Sequence, residues 1–158
     1  MGHRSFIYLN ADLQASKNLF CFSGFQKLIL EMHLPLNPAQ IIMDLQRDPH
    51  IWSHIPDIIR DFNISAIICT SDRAAVEVVN RLRAFDIRVP EDVSVVSFGN
   101  ICYSDLFRIQ PTFVTLNPAF IAEKASGMLL SRIENPGVGH REVIFEPLLK
   151  INASTRPV

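Results

Sequence analysis

At 158 residues with a formal net charge of −1, the chain is one domain's worth of sequence and offers no basic footprint for a nucleic-acid backbone or an anionic lipid surface. Hydrophobic residues make up 48% and charged residues 20%, a soluble α/β or mixed balance, and no apolar run approaches the roughly 18 residues that cross a bilayer. Cys21, Cys69 and Cys102 show no paired spacing, which fits packed or free thiols better than a disulfide framework or a zinc site. The start of the chain also lacks the basic, apolar and small-residue pattern of a secretory signal, so the expected location is the cytoplasm.

In chain order, Ser5 to Leu9 predict a strand, and residues 14–32 predict a helix with Phe20, Phe25, Leu28 and Met32 at helical spacing. Residues 41–45 form a second short strand between prolines. The next helix should begin near Ser53, because Pro56 has no N–H to give a helix interior and belongs in a first turn, and should end near Asn63. Residues 66–69 are the third strand. Asp72 then caps a helix with Ala75, Val79, Leu82 and Phe85 on one face. Residues 93–98 make a fourth strand, 100–111 a loop, and 112–116 an extended run. Residues 118–134 predict an amphipathic helix with Ile121, Ala125, Met128 and Ile133 on one side, and 142–151 a closing strand. Strands alternating with helices of this length imply parallel βαβ units, hence an α/β fold with a doubly wound, mostly parallel sheet and helices on both faces.

Several strings are distinctive. They are Gly-His-Arg before the first strand, Ser23-Gly24-Phe25, "AIICTSDRAA" at 66–75, "RVPEDVSVVSF" at 88–98, "PTFVTLNP" at 111–118, and Pro147-x-Leu149 with Ser154-Thr155. In this order they resemble the C-terminal part of the effector-binding domain of the LacI/GalR family of bacterial transcription regulators, whose fold is that of periplasmic sugar-binding proteins. The resemblance covers essentially the whole chain, taken as a single effector-binding and dimerisation domain fragment. It implies a helix-turn-helix and most of an N-terminal subdomain ahead of Gly2, neither of which this sequence contains. The helix at 118–135 would pack on that absent subdomain.

The resemblance also marks a ligand site, at which this chain departs from the pattern. An arginine of the first helix corresponds to Cys21, and an aspartate after the fourth strand to Gly99. The asparagine of an Asn-Asp pair becomes Ser71, while Asp72 is retained. A glutamine ahead of the later helix aligns with Asn117 or Pro118. Phe120 offers a stacking ring, and Lys17 and Asn100 offer replacement donors. Each has a plainer reading: Asp72 as a helix cap, Phe120 as core, Cys21 as a packed thiol, and Lys17 as a solvated surface residue. His50 and His54 have helical metal-pair spacing but no third ligand, so no metal and no cofactor is expected.

The resemblance thus implies a sensor that binds a small sugar-like effector, pairs as a homodimer, and reaches DNA only through a helix-turn-helix outside this sequence. With two charged anchors replaced, common pentoses and hexoses are expected to bind weakly or not at all. The alternative is a degenerate sensor that has become an oligomerisation or interaction module; a free periplasmic-type binding protein is disfavoured by the lack of a signal sequence. No nucleophile elbow, phosphate-cradling glycine loop or convergent acid pair points to an enzyme. The apolar stripe at 118–134, or a strand edge near 112–116, is the expected dimer contact.

Overall fold

Strands that are apolar on both sides are stable only when helices cover both faces of their sheet, and the computed structural model has that arrangement. It describes residues 1–10, 16–43, 50–99, 109–137 and 139–158, with the side chains at 16–18 outside that set. The elements are β1 (Phe6–Leu9), α1 (Ser16–Glu31), β2 (Ile41–Ile42), α2 (Ile51–Asp61), β3 (Ala66–Cys69), α3 (Asp72–Ala84), β4 (Ser94–Phe98), β5 (Thr112–Thr115), α4 (Pro118–Glu134) and β6 (Leu148–Lys150). They form one sheet in the order β2-β1-β3-β4-β5-β6. All pairings are parallel except that of β6, which is antiparallel to β5. The expected fold class is the observed one.

Register places Ile7, Ile67 and Val95 in one row and Leu9, Cys69 and Ser97 in another on the same face. That face is sealed by Trp52 and Ile55 of α2 and by Ala75, Val78 and Leu82 of α3. On the opposite face Tyr8 stacks on Phe25 with ring centroids 4.9 Å apart and meets Phe22 at 5.2 Å. Ile29 and Leu34 complete that smaller cluster. Coverage thins toward β5, where Val96, Phe98 and Val114 are only partly buried. The entrance to β4 is fixed by Arg88 and Asp92: the Arg88 side chain meets the carboxylate at 2.9 and 3.0 Å and the Arg88 backbone N–H donates to it at 2.8 Å. Those hydrogen bonds hold the Asp92 carboxyl down at about 2.

Several expectations are corrected. In α1 the buried positions are Phe25 and Ile29 with Phe22 beside them, whereas Phe20, Leu28 and Met32 are exposed. At 100° per residue Phe20 lies on the far side from Phe25, so the predicted stripe mixed two faces. Pro56 sits inside α2 rather than in its first turn. The missing bond is outweighed by burying Trp52 and Ile55, at roughly 1.5–3 kcal/mol per large apolar side chain. In α3, Ala74 and Val78 join Ala75 and Leu82 in the core, while Phe85 is exposed. The closing strand is limited to Leu148–Lys150 rather than 142–151. The strand at 112–116 is not an edge, because β5 has β4 on one side and β6 on the other. Positions 44 and 45 of the second predicted strand, and 100–108 of the predicted loop, lie outside the described residues.

The C-terminal tail locks the N-terminal ends of β4 and β5. Ser154 is fully buried; its Oγ donates to the Val95 carbonyl at 2.5 Å and accepts from Thr112 N–H at 2.7 Å. Its carbonyl accepts from Val95 N–H at 2.9 Å. Asn152 adds a bond from Nδ2 to the Pro111 carbonyl at 2.8 Å. His3 fastens the other terminus, with Nε2 donating to the Arg156 carbonyl at 3.0 Å and Nδ1 meeting Ser65 Oγ at 3.0 Å.

Ser154→Ala leaves a buried N–H and carbonyl without the hydroxyl that joins them, so it should lower unfolding stability by about 2–3 kcal/mol, read as a shift in urea midpoint. Burial is the main force lowering the His3 pKa below 6.5, only partly offset by the bond to Arg156. The folded state therefore binds fewer protons than the unfolded one near that pH, and stability present above the unfolded value is lost as pH falls toward the folded one. Urea melts of the parent should weaken below about pH 6.5, and His3→Gln should flatten that dependence.

Candidate functional site

In an open parallel sheet, ligands settle outside the carboxyl ends of the strands, where the strand order reverses. Here the reversal is at β1, which has β2 on one side and β3 on the other. Each strand at that point is followed by a buried polar residue, Asn10 after β1 and Thr70 after β3. Thr70 Oγ1 donates to Asn10 Oδ1 at 2.9 Å. Beside this pair a cavity of about 570 Å³ opens over the ends of β3, β4 and β5. Thr70, Phe98, Gly99 and Thr115 line it from the strands, Cys21 from α1, and Pro118 with Phe145 and Pro147 from the opposite side.

The turn from β3 into α3 divides two tasks between neighbouring residues. Ser71 has extended backbone, and its side chain accepts from the Ala74 N–H at 3.2 Å, so Ser71 and not Asp72 is the helix cap. This corrects the sequence expectation, for which Asp72 was the capping residue. As the first residue of α3, Asp72 turns its carboxylate toward β4, where Ser97 Oγ donates to Oδ1 at 3.1 Å. The carboxylate rests against Gly99 so closely that a Cβ there would overlap the carboxyl carbon and both oxygens. With Asp72 placed so, the space beside the end of β4 is taken by its carboxylate, and a side chain at residue 99 would have to displace it.

The predicted residues are partly assembled. Cys21 and Gly99 line the cavity, and Ser71 and Asp72 stand at its strand ends. Phe120 is half-exposed and packs edge-on against Phe145 with centroids 5.7 Å apart, while the Lys124 ammonium sits 5.1 Å from its ring centroid. Phe120 therefore backs a cavity wall. Asn117 accepts from Phe120 N–H at 3.2 Å and caps α4. Lys17 lies in the first turn of α1, but its side chain, like Asn100, falls outside the described residues. His50 precedes α2 as its cap and His54 lies within that helix; among the described residues no cluster of histidine, cysteine or acidic side chains is placed to hold a metal.

Sequence reasoning missed Asn10, Thr70, Ser97, Thr115 and Phe145. A positional signal existed for the first two, since each directly follows the last residue of a parallel strand flanking the reversal. Burial drives the Cys69 thiol upward, away from the thiolate form, and raises the Tyr8 phenol, with Cys21 adding a smaller push. Neither group is poised for nucleophilic chemistry.

Comparison with known proteins bears on the whole chain. The model of the periplasmic binding protein-like domain matches residues 1–155. An arabinose metabolism transcriptional repressor of Halalkalibacterium halodurans is 30% identical over 98% of this chain and 44% of its own length. The HTH-type transcriptional repressor PurR of Histophilus somni is 24% identical over 98% of this chain and 47% of its own. The chain thus spans less than half the length of these repressors. In fold it is similar to the crystal structure of the Escherichia coli transcriptional repressor ascG, with a TM-score of 0.80, 18% identity, and coverage of 97% of this chain and 56% of that one. A LacI family regulator from Enterococcus faecium with bound ribose superposes with a TM-score of 0.78 at 18% identity, covering 99% of this chain and 58% of that one.

Proposed function

The chain belongs to the family of periplasmic binding protein-like domains, in the form found in LacI-type regulators, and from that premise we propose that it is the effector-sensing and dimerising part of such a regulator. Its relatives are repressors rather than enzymes. The observation that carries the reading is a cavity of ligand size at the carboxyl ends of the strands, lined by Thr70 and Thr115, with the Thr70–Asn10 and Ser97–Asp72 hydrogen bonds at the same strand ends. In this reading a small sugar-like effector is held there, and its unequal affinity for two arrangements of a longer protein shifts the population that binds DNA. DNA contact belongs to a helix-turn-helix in sequence beyond this chain, and the protein works in the cytoplasm. No helix among the described residues is long and apolar enough to cross a membrane.

The reading is tested by thermal melts of the chain with ribose, arabinose and glucose. A ligand that binds only the folded state raises stability by roughly 2.7 kcal/mol at a hundred times its dissociation constant. A saturable rise in melting temperature with at least one of them is expected. A flat response to all three up to about 10 mM, a concentration that reveals even millimolar affinity, overturns the binding of a common sugar.

A second reading, an oligomerisation or interaction module that no longer senses a sugar, is favoured by the surface of α4. None of its residues is buried, and Leu129, Leu130 and Ile133 are exposed, as are Leu148 and Leu149 of β6. We expect these apolar faces to be covered by the upstream half of a longer protein or by a second copy. With the chain alone a homodimer through α4 and β6 is expected. Light scattering at tens of micromolar should give twice the chain mass, and Met128→Glu should shift it toward the monomer. A monomer whose mass and stability ignore Met128→Glu shows that α4 makes no such contact.

A further inference from the structure

A second, smaller cavity adjoins the one at the strand ends. About 280 Å³ in volume, it is lined by Cys21, Gly24, Phe25 and Leu28 of α1 and, across from them, by Ile68 of β3 and Phe98 of β4. Cys21 and Phe98 line the larger cavity as well, so the smaller is an annex of the larger. Its helix wall follows from helical spacing, since positions 21, 24, 25 and 28 recur every three or four residues on one face. Its sheet wall is bare because α1 covers only the β1 side of this face, which leaves Ile68 and Phe98 half-buried.

Gly24 keeps the annex open. It stands in the middle of α1, where glycine weakens a helix relative to alanine. Neither a turn nor a close contact requires it: its φ is not positive, and a Cβ there would meet nothing within 4 Å. With Gly24 itself in the lining, the missing side chain leaves open volume.

The chemistry of that volume is one-sided. Apart from the Cys21 thiol, a weak hydrogen-bonding group, no described residue of its lining has a polar side chain. A hydroxyl or a charge placed there loses water without gaining a partner, whereas a hydrocarbon group exchanges water for Leu28, Ile68 and the Phe98 ring. An apolar cavity of about 150 Å³ is already large enough for benzene. The larger cavity differs in having Thr70, Thr115 and the backbone of Gly99 in its lining. Polar and apolar recognition are thus divided between two neighbouring volumes.

Resting on the effector-binding reading above, we propose that the annex is a subsite for an aromatic or branched alkyl group, so that this chain's effector is a two-part molecule with an apolar arm joined to a polar head. The arm lies between α1 and the β3–β4 pair, with Cys21 and Phe98 at the junction of the two cavities. Gly24 and Leu28 set how large an arm enters.

Amide proton–nitrogen NMR spectra of the chain read the annex directly, with indole as a ring system free of sugar and with phenyl and methyl β-glucosides as a matched pair. Indole and the phenyl glucoside should give saturable shifts at the Gly24 and Leu28 amides, and burial of the ring should make the phenyl compound bind roughly tenfold or more tightly than the methyl one. Gly24→Leu fills the annex with a better helix former; it should weaken indole by a similar factor and bring the phenyl-to-methyl ratio toward one, with thermal melts confirming that the variant folds. Indole shifts absent from these amides up to about 10 mM, shifts that survive Gly24→Leu unchanged, or a phenyl glucoside no tighter than the methyl one overturn the proposal. Sugars that stabilise the chain while indole leaves the annex untouched would leave effector binding standing; indole bound in the annex of a chain that ignores all sugars would strike that reading for sugars instead.

Discussion

Ser154 ties the sheet together at the end opposite the cavity. Its hydroxyl joins the Val95 carbonyl to the Thr112 N–H, and its own carbonyl takes the Val95 N–H, so the start of β4 is paired before β5 comes alongside. The register that follows sets Phe98 beside Val114 and lets Gly99 N–H reach the Val114 carbonyl at 3.0 Å. The strand pair that carries Gly99 and Thr115 to the cavity is thus fastened at its other end by a buried serine. His3 and the Val158 N–H, which donates to the Met1 carbonyl at 3.0 Å, close the same end of the molecule.

That closed end and the open end serve opposite physical demands. At the closed end every named polar contact is internal and buried apolar residues are continuous across β1, β3 and β4. At the open end the strands finish in short, largely buried polar side chains beside a cavity, among them Thr70 and Thr115 in its lining, a composition suited to a small ligand. The partition follows from parallel pairing, which gathers all the carboxyl ends on one side and leaves the helix starts there with groups to satisfy. Ser71 and Asn117 satisfy two of those helix starts, so the neighbouring Asp72 is turned toward β4 instead of the helix backbone.

The two faces of the sheet are unequally covered. α2 and α3 seal one; α1 covers only the β1 side of the other, and α4 contributes no buried residue. This imbalance agrees with the coverage of its relatives, of which the chain represents less than half. A helix with good capping and apolar spacing can form from local signals while its packing partner is in another part of a longer chain or in another copy.

Local signals made much of this fold legible. Runs such as Ala66–Cys69 are apolar and β-branched enough to read as buried strands. α4 has bounds that match the expectation because Asn117 and Pro118 start it and Asn135 with Pro136 stop it, each acting through its own backbone restriction. The family pattern in "RVPEDVSVVSF" identified β4 and its entrance. What tertiary structure alone decided depends on residues distant in the chain. The buried face of α1 follows from Tyr8, and a proline is kept inside α2 by the core it packs on. The antiparallel β6 follows from its pairing with β5, and Ser154 reaches residues 42 and 59 positions away. Gly99 is the sharpest case: the sequence determined that a side chain was missing at the end of β4, and only the approach of Asp72 across the sheet decided what fills its place, because that volume is shared by two residues 27 positions apart.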